Sequence, residues 1–154
     1  MKAVIQRVTE ASVEVEGKIV GECKKGYLVL FGAAEGDTVE DVEILAKKTA
    51  NLRVFCDEND KMNLSVLDID GEILAISQFT LLADVKKGNR PSFINAMAPV
   101  EAECLYKLYC EKLRELGVKR VDEGIFAADM KVSLVNDGPV TIIFDTEIWR
   151  KNGN

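Results

Sequence analysis

Val4, Gln6 and Val8 alternate with Ile5 and Arg7 at the head of the chain, a period of two that predicts a strand. Val13 and Val15 continue it, Glu16-Gly17 offers a turn, and Ile19-Val20 return. Tyr27 to Phe31 is a continuous apolar run, suited to a strand covered on both faces. The period then changes. Thr38 and Asp41 have capping-box spacing, and Val42, Leu45, Ala46 and Thr49 follow at helical intervals, predicting a helix over 38–52. A short strand at Val54–Cys56 precedes the polar loop Asp57–Lys61. Asp70-Gly71 is a hairpin-type dipeptide, and Ile73–Phe79 after it reads as a buried strand. Pro99 opens a second helix with one apolar stripe, Ala102, Leu105, Tyr106, Tyr109, Leu113 and Leu116, closed by Gly117. Lys131–Val135 and Val140–Phe144 flank Asn136-Asp137-Gly138-Pro139, which reads as a turn. The elements predict a mixed, β-rich α/β fold of largely antiparallel strands with two principal helices. It forms one domain over 1–149, and 150–154 reads as a flexible tail.

The chain has 154 residues, enough for one domain burying roughly 68–70% of its unfolded surface. Its first residues carry charges at Lys2, Arg7 and Glu10 and no apolar core segment, unlike a secretory signal. The longest uncharged stretch, Ile73–Ala83, is far short of the ~18–20 residues a spanning helix needs. A soluble, cytoplasmic protein is therefore expected, with no membrane partner. Cys23, Cys56, Cys104 and Cys110 form no Cys-x-x-Cys pair and read as buried apolar residues rather than a metal site or disulfide framework. There is no histidine, which excludes histidine-activated serine or cysteine nucleophiles and histidine-ligated zinc. With 20 Lys+Arg against 26 Asp+Glu the net charge is −6, which argues against a broad basic face for nucleic acid.

Three segments could carry chemistry. Ser77-Gln78-Phe79-Thr80 ends an otherwise apolar strand. It reads either as a pocket wall where free backbone N–H groups emerge, or as a plain turn with hydroxyl–backbone bonds. Asn136-Asp137-Gly138-Pro139-Val140-Thr141 reads either as a hairpin connection or as a backbone-lined binding corner. Lys86-Lys87-Gly88-Asn89-Arg90 is the densest positive cluster, either a solvated loop or a phosphate contact. Asp57, Glu58 and Asp60 lack calcium-loop spacing, and Gly26, Gly32 and Gly36 form no nucleotide fingerprint, so no metal or cofactor is expected.

Taken together, Ser77-Gln78-Phe79-Thr80-Leu81 and Asn136-Asp137-Gly138-Pro139-Val140-Thr141 resemble the two signature motifs of D-aminoacyl-tRNA deacylases. Gln6-Arg7-Val8 resembles that family's first strand, and Lys86 through Phe93 its mid-chain loop, so the likeness spans roughly 1–147 in order. The resemblance implies a three-layer architecture with both helices packed on one side. It implies a homodimeric esterase that removes D-amino acids, and glycine mischarged on tRNA(Ala), with its active site at the subunit interface. A cis Gly138-Pro139 would reach from one subunit into the other's pocket and exclude L-side chains, held by Arg7 and flanked by Asn136, Val140 and Thr141. Ser77, Gln78, Phe79 and Thr80 would form the opposite, catalytic wall. No base stands beside Thr80 in the sequence, so Thr80 is read as a positioning group, with backbone amides and the tRNA 2′-hydroxyl supplying the chemistry. Lys86, Lys87 and Arg90 would touch phosphates near the acceptor end. A non-catalytic RNA-binding module and a hydrolase of small esters are the alternatives.

Overall fold

The computed structural model describes residues 1–150. In chain order these form β1 (Lys2–Val15), β2 (Lys18–Cys23), β3 (Gly26–Gly32), α1 (Val39–Asn51), β4 (Phe55–Cys56), β5 (Met62–Leu64), β6 (Glu72–Ser77), α2 (Pro99–Glu115), β7 (Val121–Glu123) and β8 (Lys131–Asp145), with short 3-10 turns at Phe79–Leu82 and Thr146–Trp149. The main sheet runs β2-β1-β3-β6-β7, and β8 lies along β1. β1 pairs antiparallel with β2, β3 and β8, whereas β3, β6 and β7 are mutually parallel. Parallel neighbours need crossovers. α1 lies in the connection from β3 to β6, and α2 is the crossover from β6 to β7.

Both faces of the central strands are covered, as the unbroken apolar runs predict. Tyr27, Val29 and Phe31 of β3, with Ile73 and Ala75 of β6, join a core completed by Val42, Leu45 and Ala46 of α1 and Tyr106, Tyr109 and Leu113 of α2. The alternate residues Leu28, Leu74 and Ile76 meet Val8, Ala11, Val13 and Cys23 in a second core. The sheet folds over itself to make that core, since the Glu22 N–H of β2 donates to Asp122 Oδ2 of β7 at 2.9 Å. Where α1 meets α2, the Thr49 hydroxyl donates to Leu45 O (2.8 Å) and lies 2.9 Å from the Tyr109 hydroxyl.

The helices fall where the spacing puts them. The Thr38 N–H donates to Asp41 Oδ2 (2.8 Å), Pro99 starts α2, and Gly117 closes it at φ +112°. Cys110 joins the α2 stripe, whereas Leu116 beyond the last turn is exposed.

Two sequence expectations are corrected. Asp70-Gly71 makes a turn but no hairpin, because β5 before it pairs with β4 and β6 after it runs parallel to β3. Asn136–Pro139 is no hairpin connection either. β8 is one strand following β1 along both its halves, with Gln6 opposite Thr141, Val8 opposite Asn136 and Glu14 opposite Lys131. The residues between are a bulge, and the Gly138–Pro139 bond in it is cis. Of the expected tail, Arg150 is tied down by Asp37 (2.6 Å) and Asp41 (3.1 Å), and 151–154 lie outside the described residues. No helix among the described residues is long and apolar enough to cross a membrane.

Candidate active site

β3 and β6 end side by side at the Phe31–Ser77 pair. The carboxyl ends of parallel strands are where the chain leaves the ladder and ligands bind. The Gln78 N–H makes one last bond, to Phe31 O at 2.6 Å, and the chain then tightens into the Phe79–Leu82 turn. The first internal bond of that turn runs from Leu81 N–H to Gln78 O (3.2 Å), so the amides of Phe79 and Thr80 precede it and are not used by the turn itself. Gly32 makes this approach possible. A Cβ there would lie 2.6 Å from Leu82 Cδ2 and 2.9 Å from Gln78 O.

Beside this junction opens a cavity of about 630 Å³. Ser77, Gln78 and Phe79 form one wall, Ala96 to Pro99 a second, and Phe126 to Met130 a third. Phe79 and Phe93 meet edge to face at its rim with ring centroids 5.0 Å apart. Thr80 follows on the exposed turn, its hydroxyl accepting a hydrogen bond from the Gln78 side-chain amide. Among the described residues Asp129 is the one acidic or basic side chain lining the cavity. Ser77 and Gln78 add a hydroxyl and an amide, and the rest of the lining is apolar side chains and backbone, so the geometry provides hydrogen-bond donors and shape. Tyr106 lies behind it, its hydroxyl donating to Ala75 O (2.5 Å) and accepting from Gly124 N–H (3.3 Å). Burial holds that phenol far above its ordinary range. Burial likewise pushes the Cys23 and Cys110 thiols up to about 12, so neither is a nucleophile at neutral pH.

The second motif lies elsewhere on the chain. None of Asn136 to Thr141 lines the cavity. Asn136 closes the base of the bulge, donating to Arg7 O and Val140 O, both at 3.0 Å. The Thr141 hydroxyl is 3.5 Å from Asn136 Oδ1. Arg7 braces the bulge from below, with Nε donating to Asp137 O (3.1 Å) and Nη1 to Val54 O (2.5 Å). Val140 is buried in the core, whereas Gly138 and Pro139 are exposed. The bulge is thus rigidly held at its base and presents its tip to the outside.

The family profile of the D-Tyr-tRNA(Tyr) deacylases matches residues 4–145. The chain belongs to that family. It is similar to the D-aminoacyl-tRNA deacylase of Geotalea uraniireducens (strain Rf4), 55% identical over 153 residues, covering 99% of this chain and 98% of that protein. The deacylase of Clostridium novyi (strain NT) is 53% identical over 147 residues, covering 96% and 98%. Among solved structures it resembles the c-Myc DNA unwinding element binding protein, with TM-score 0.89 and 45% identity over 94% of this chain and 98% of that one. A probable eukaryotic D-amino acid tRNA deacylase shares the fold at TM-score 0.78 and 19% identity, covering 93% and 97%. As a member of the family, the chain is a hydrolase of the aminoacyl ester bond.

Set in this deacylase, Lys86, Lys87 and Arg90 lie on an exposed loop pinched by two bonds between Asp84 and Ser92 (2.7 and 2.9 Å). The loop leaves from the Phe79–Leu82 turn and returns at Phe93, and none of its three cations lines the cavity. Among the described residues none of the three forms an ion pair. Sequence reasoning missed the walls at Ala96–Pro99 and Phe126–Met130. Small and apolar residues carry no chemical signal, and only the glycine-like φ of Ala127 (+64°) marks the segment as unusual. The reading of all four cysteines as buried is also corrected. Cys56 and Cys104 are exposed, because β4 is a two-residue edge strand and Cys104 sits on the outer side of α2.

Proposed function

We propose that this cavity receives the aminoacyl end of a D-aminoacyl-tRNA, and that a second copy of the chain completes it with Gly138-Pro139. The observation that carries the reading is the division of the two motifs. One ends at an apolar, backbone-walled cavity with unused amides at Phe79 and Thr80. The other is an exposed, braced tip outside that cavity. A homodimer that brings tip to cavity would leave room beside the ester for hydrogen or a D-side chain and exclude an L-side chain by contact. Glycyl-tRNA(Ala), lacking a side chain, would be accepted for the same reason.

An aminoacyl ester is already activated. Water adds to the carbonyl carbon, the oxyanion takes hydrogen bonds from the Phe79 and Thr80 amides, and the bond to the ribose 3′-oxygen breaks. The proton lost by water reaches the leaving oxygen through the neighbouring 2′-hydroxyl, so no imidazole is required. Ser77 and Gln78 line the wall, and Thr80, held by Gln78, positions rather than attacks. Lys86, Lys87 and Arg90 meet phosphates of the acceptor end, and the −6 charge confines the contact to that end. This role in translation quality control places the protein in the cytoplasm. The net charge likewise disfavours DNA binding of the kind named for the 45%-identical structure.

The test is hydrolysis of matched D- and L-aminoacyl-tRNA and a free amino-acid ester by the wild type and Pro139→Ala. The wild type should release only the D-amino acid, and Pro139→Ala should also release the L-form. Binding without release would favour an RNA-binding module, and cleavage of the free ester a small-ester hydrolase. Unchanged D/L selectivity in Pro139→Ala would refute the wall.

A further inference from the structure

A charge cluster at the start of α1, buried at Met1, Asp37 and Asp41 and reaching the surface at Arg150, has no part in the chemistry above. Asp37 Oδ2 accepts from the Met1 ammonium (2.8 Å) and from Ala34 N–H (2.6 Å), and Oδ1 accepts from Arg150 Nη2 (2.6 Å). Its side chain is 1% exposed. Arg150 extends the cluster to Asp41 Oδ1 with two further bonds of 3.1 Å.

What Asp37 holds is the loop 33–37. Its own N–H donates to Ala34 O at 3.1 Å, closing the turn. Beyond that turn the loop forms a short ladder. Ala34 bridges Ala96, the Glu35 N–H donates to Asn95 O (2.9 Å), and the Met97 N–H donates to Ala33 O (3.1 Å). Ala33, Ala96 and Met97 all line the cavity. An unbroken chain of bonds therefore runs from the Asp37 carboxylate through Ala34 to the second wall. Hydrogen bonds to an ionised acceptor are short and directional, which suits them to fixing one backbone position.

We propose that Asp37 is a positioning residue for hydrolysis, setting the 95–97 wall of the cavity through its bond to Ala34. The proposal rests on the reading of this cavity as the active site. A wall misplaced by about 1 Å costs on the order of 10²-fold in rate, and a partial shift correspondingly less.

The variants Asp37→Glu, Asp37→Asn and Asp41→Asn separate position from stability. Asp37→Glu keeps the charge that the ammonium and Arg150 require but displaces the carboxylate from Ala34. Asp41→Asn weakens the same cluster without touching the loop. Each is read by kcat and KM on D-aminoacyl-tRNA and by hydrogen exchange of the Glu35 and Met97 amides. Asp37→Glu should lower kcat about ten-fold with KM within about two-fold, and both amides should exchange faster. Asp37→Asn should do the same wherever it remains folded. Asp41→Asn should lower Tm and leave kcat and exchange unchanged. Wild-type kcat and amide protection in Asp37→Glu would overturn the proposal, as would an equal kcat loss in Asp41→Asn. Filling the cavity with Ala102→Trp without losing hydrolysis would refute the cavity reading separately. Amide exchange would then still decide whether Asp37 holds the wall.

Discussion

Gly32→Ala should uncouple the deacylase's fold from its activity. The added methyl would stand 2.9 Å from Gln78 O and 2.6 Å from Leu82 Cδ2. Ordinary contact begins near 3.4 Å, so Gln78 O must retreat by about 0.5 Å and Leu82 by about 0.8 Å. Leu82 is buried and cannot swing into solvent, and Gln78 O is backbone that accepts the first bond of the turn. The strain therefore passes into Phe79–Leu82 and shifts the amides of Phe79 and Thr80. Overpacking of this size costs about 1–3 kcal/mol, which for a chain of this length lowers Tm by roughly 2–12 °C. The rate should suffer more. Donors displaced by about 0.5 Å should lower kcat on the order of 10-fold or more, since the loss of one oxyanion donor costs about 10²–10³-fold. Single-turnover hydrolysis of D-aminoacyl-tRNA below the melting transition measures this directly. A Gly32→Ala protein that melts at a lower temperature but retains wild-type kcat would refute the assignment of the Phe79 and Thr80 amides as oxyanion donors.

Further predictions follow from the same geometry. Thr80→Ala should keep kcat within about ten-fold, because its hydroxyl is engaged by Gln78 and no base adjoins it; a loss of about 10⁴–10⁶-fold would mark a nucleophile instead. Replacing Lys86, Lys87 and Arg90 together with alanine should weaken tRNA binding and reduce the slope of log K against log salt by roughly 2–3, measured by filter binding from low to physiological salt. An unchanged slope would remove the loop from the interface. The Cys23 and Cys110 thiols, raised from 9.0 to about 12 by burial, contribute stability that is fully present below pH 9 and lost as pH rises towards 12. Tm should therefore fall above pH 9, and replacing both with alanine should flatten that fall. Below pH 9 iodoacetamide should label Cys56 and Cys104 first, as peptide mass spectrometry would show.

Local patterns were legible wherever local forces decide. α1 at 39–51 and α2 at 99–115 lie within a residue or two of the periodic stretches, because Thr38-x-x-Asp41, Pro99 and Gly117 act within one helical turn. Ser77–Phe79 proved to line a cavity, since a strand that runs from apolar to polar residues must surface there. Of the two readings open for Asn136–Pro139, composition does not exclude the hairpin connection, because turn residues are the same in a hairpin and in a bulge. The difference lies in β1, fourteen residues long, which supplies a partner on both sides of the interruption.

Whereas the short strands at Met62–Leu64 and Val121–Glu123 carry no local signal, the sequence by itself determined both helices, the long first strand, the doubly covered central strands, the two motifs and the absence of histidine. These depend on composition and on periods of two and 3.6, which are properties of near neighbours. The tertiary structure alone decided that Gly32 admits the Phe79 turn, that Ala96–Pro99 and Phe126–Met130 wall the cavity, and that Asp37 ties that wall to Met1 and Arg150. It also decided that Gly138-Pro139 stands outside its own chain's cavity. Those relations join residues tens of positions apart through packing and shape, and packing of apolar side chains is non-directional, so no spacing along the chain records it.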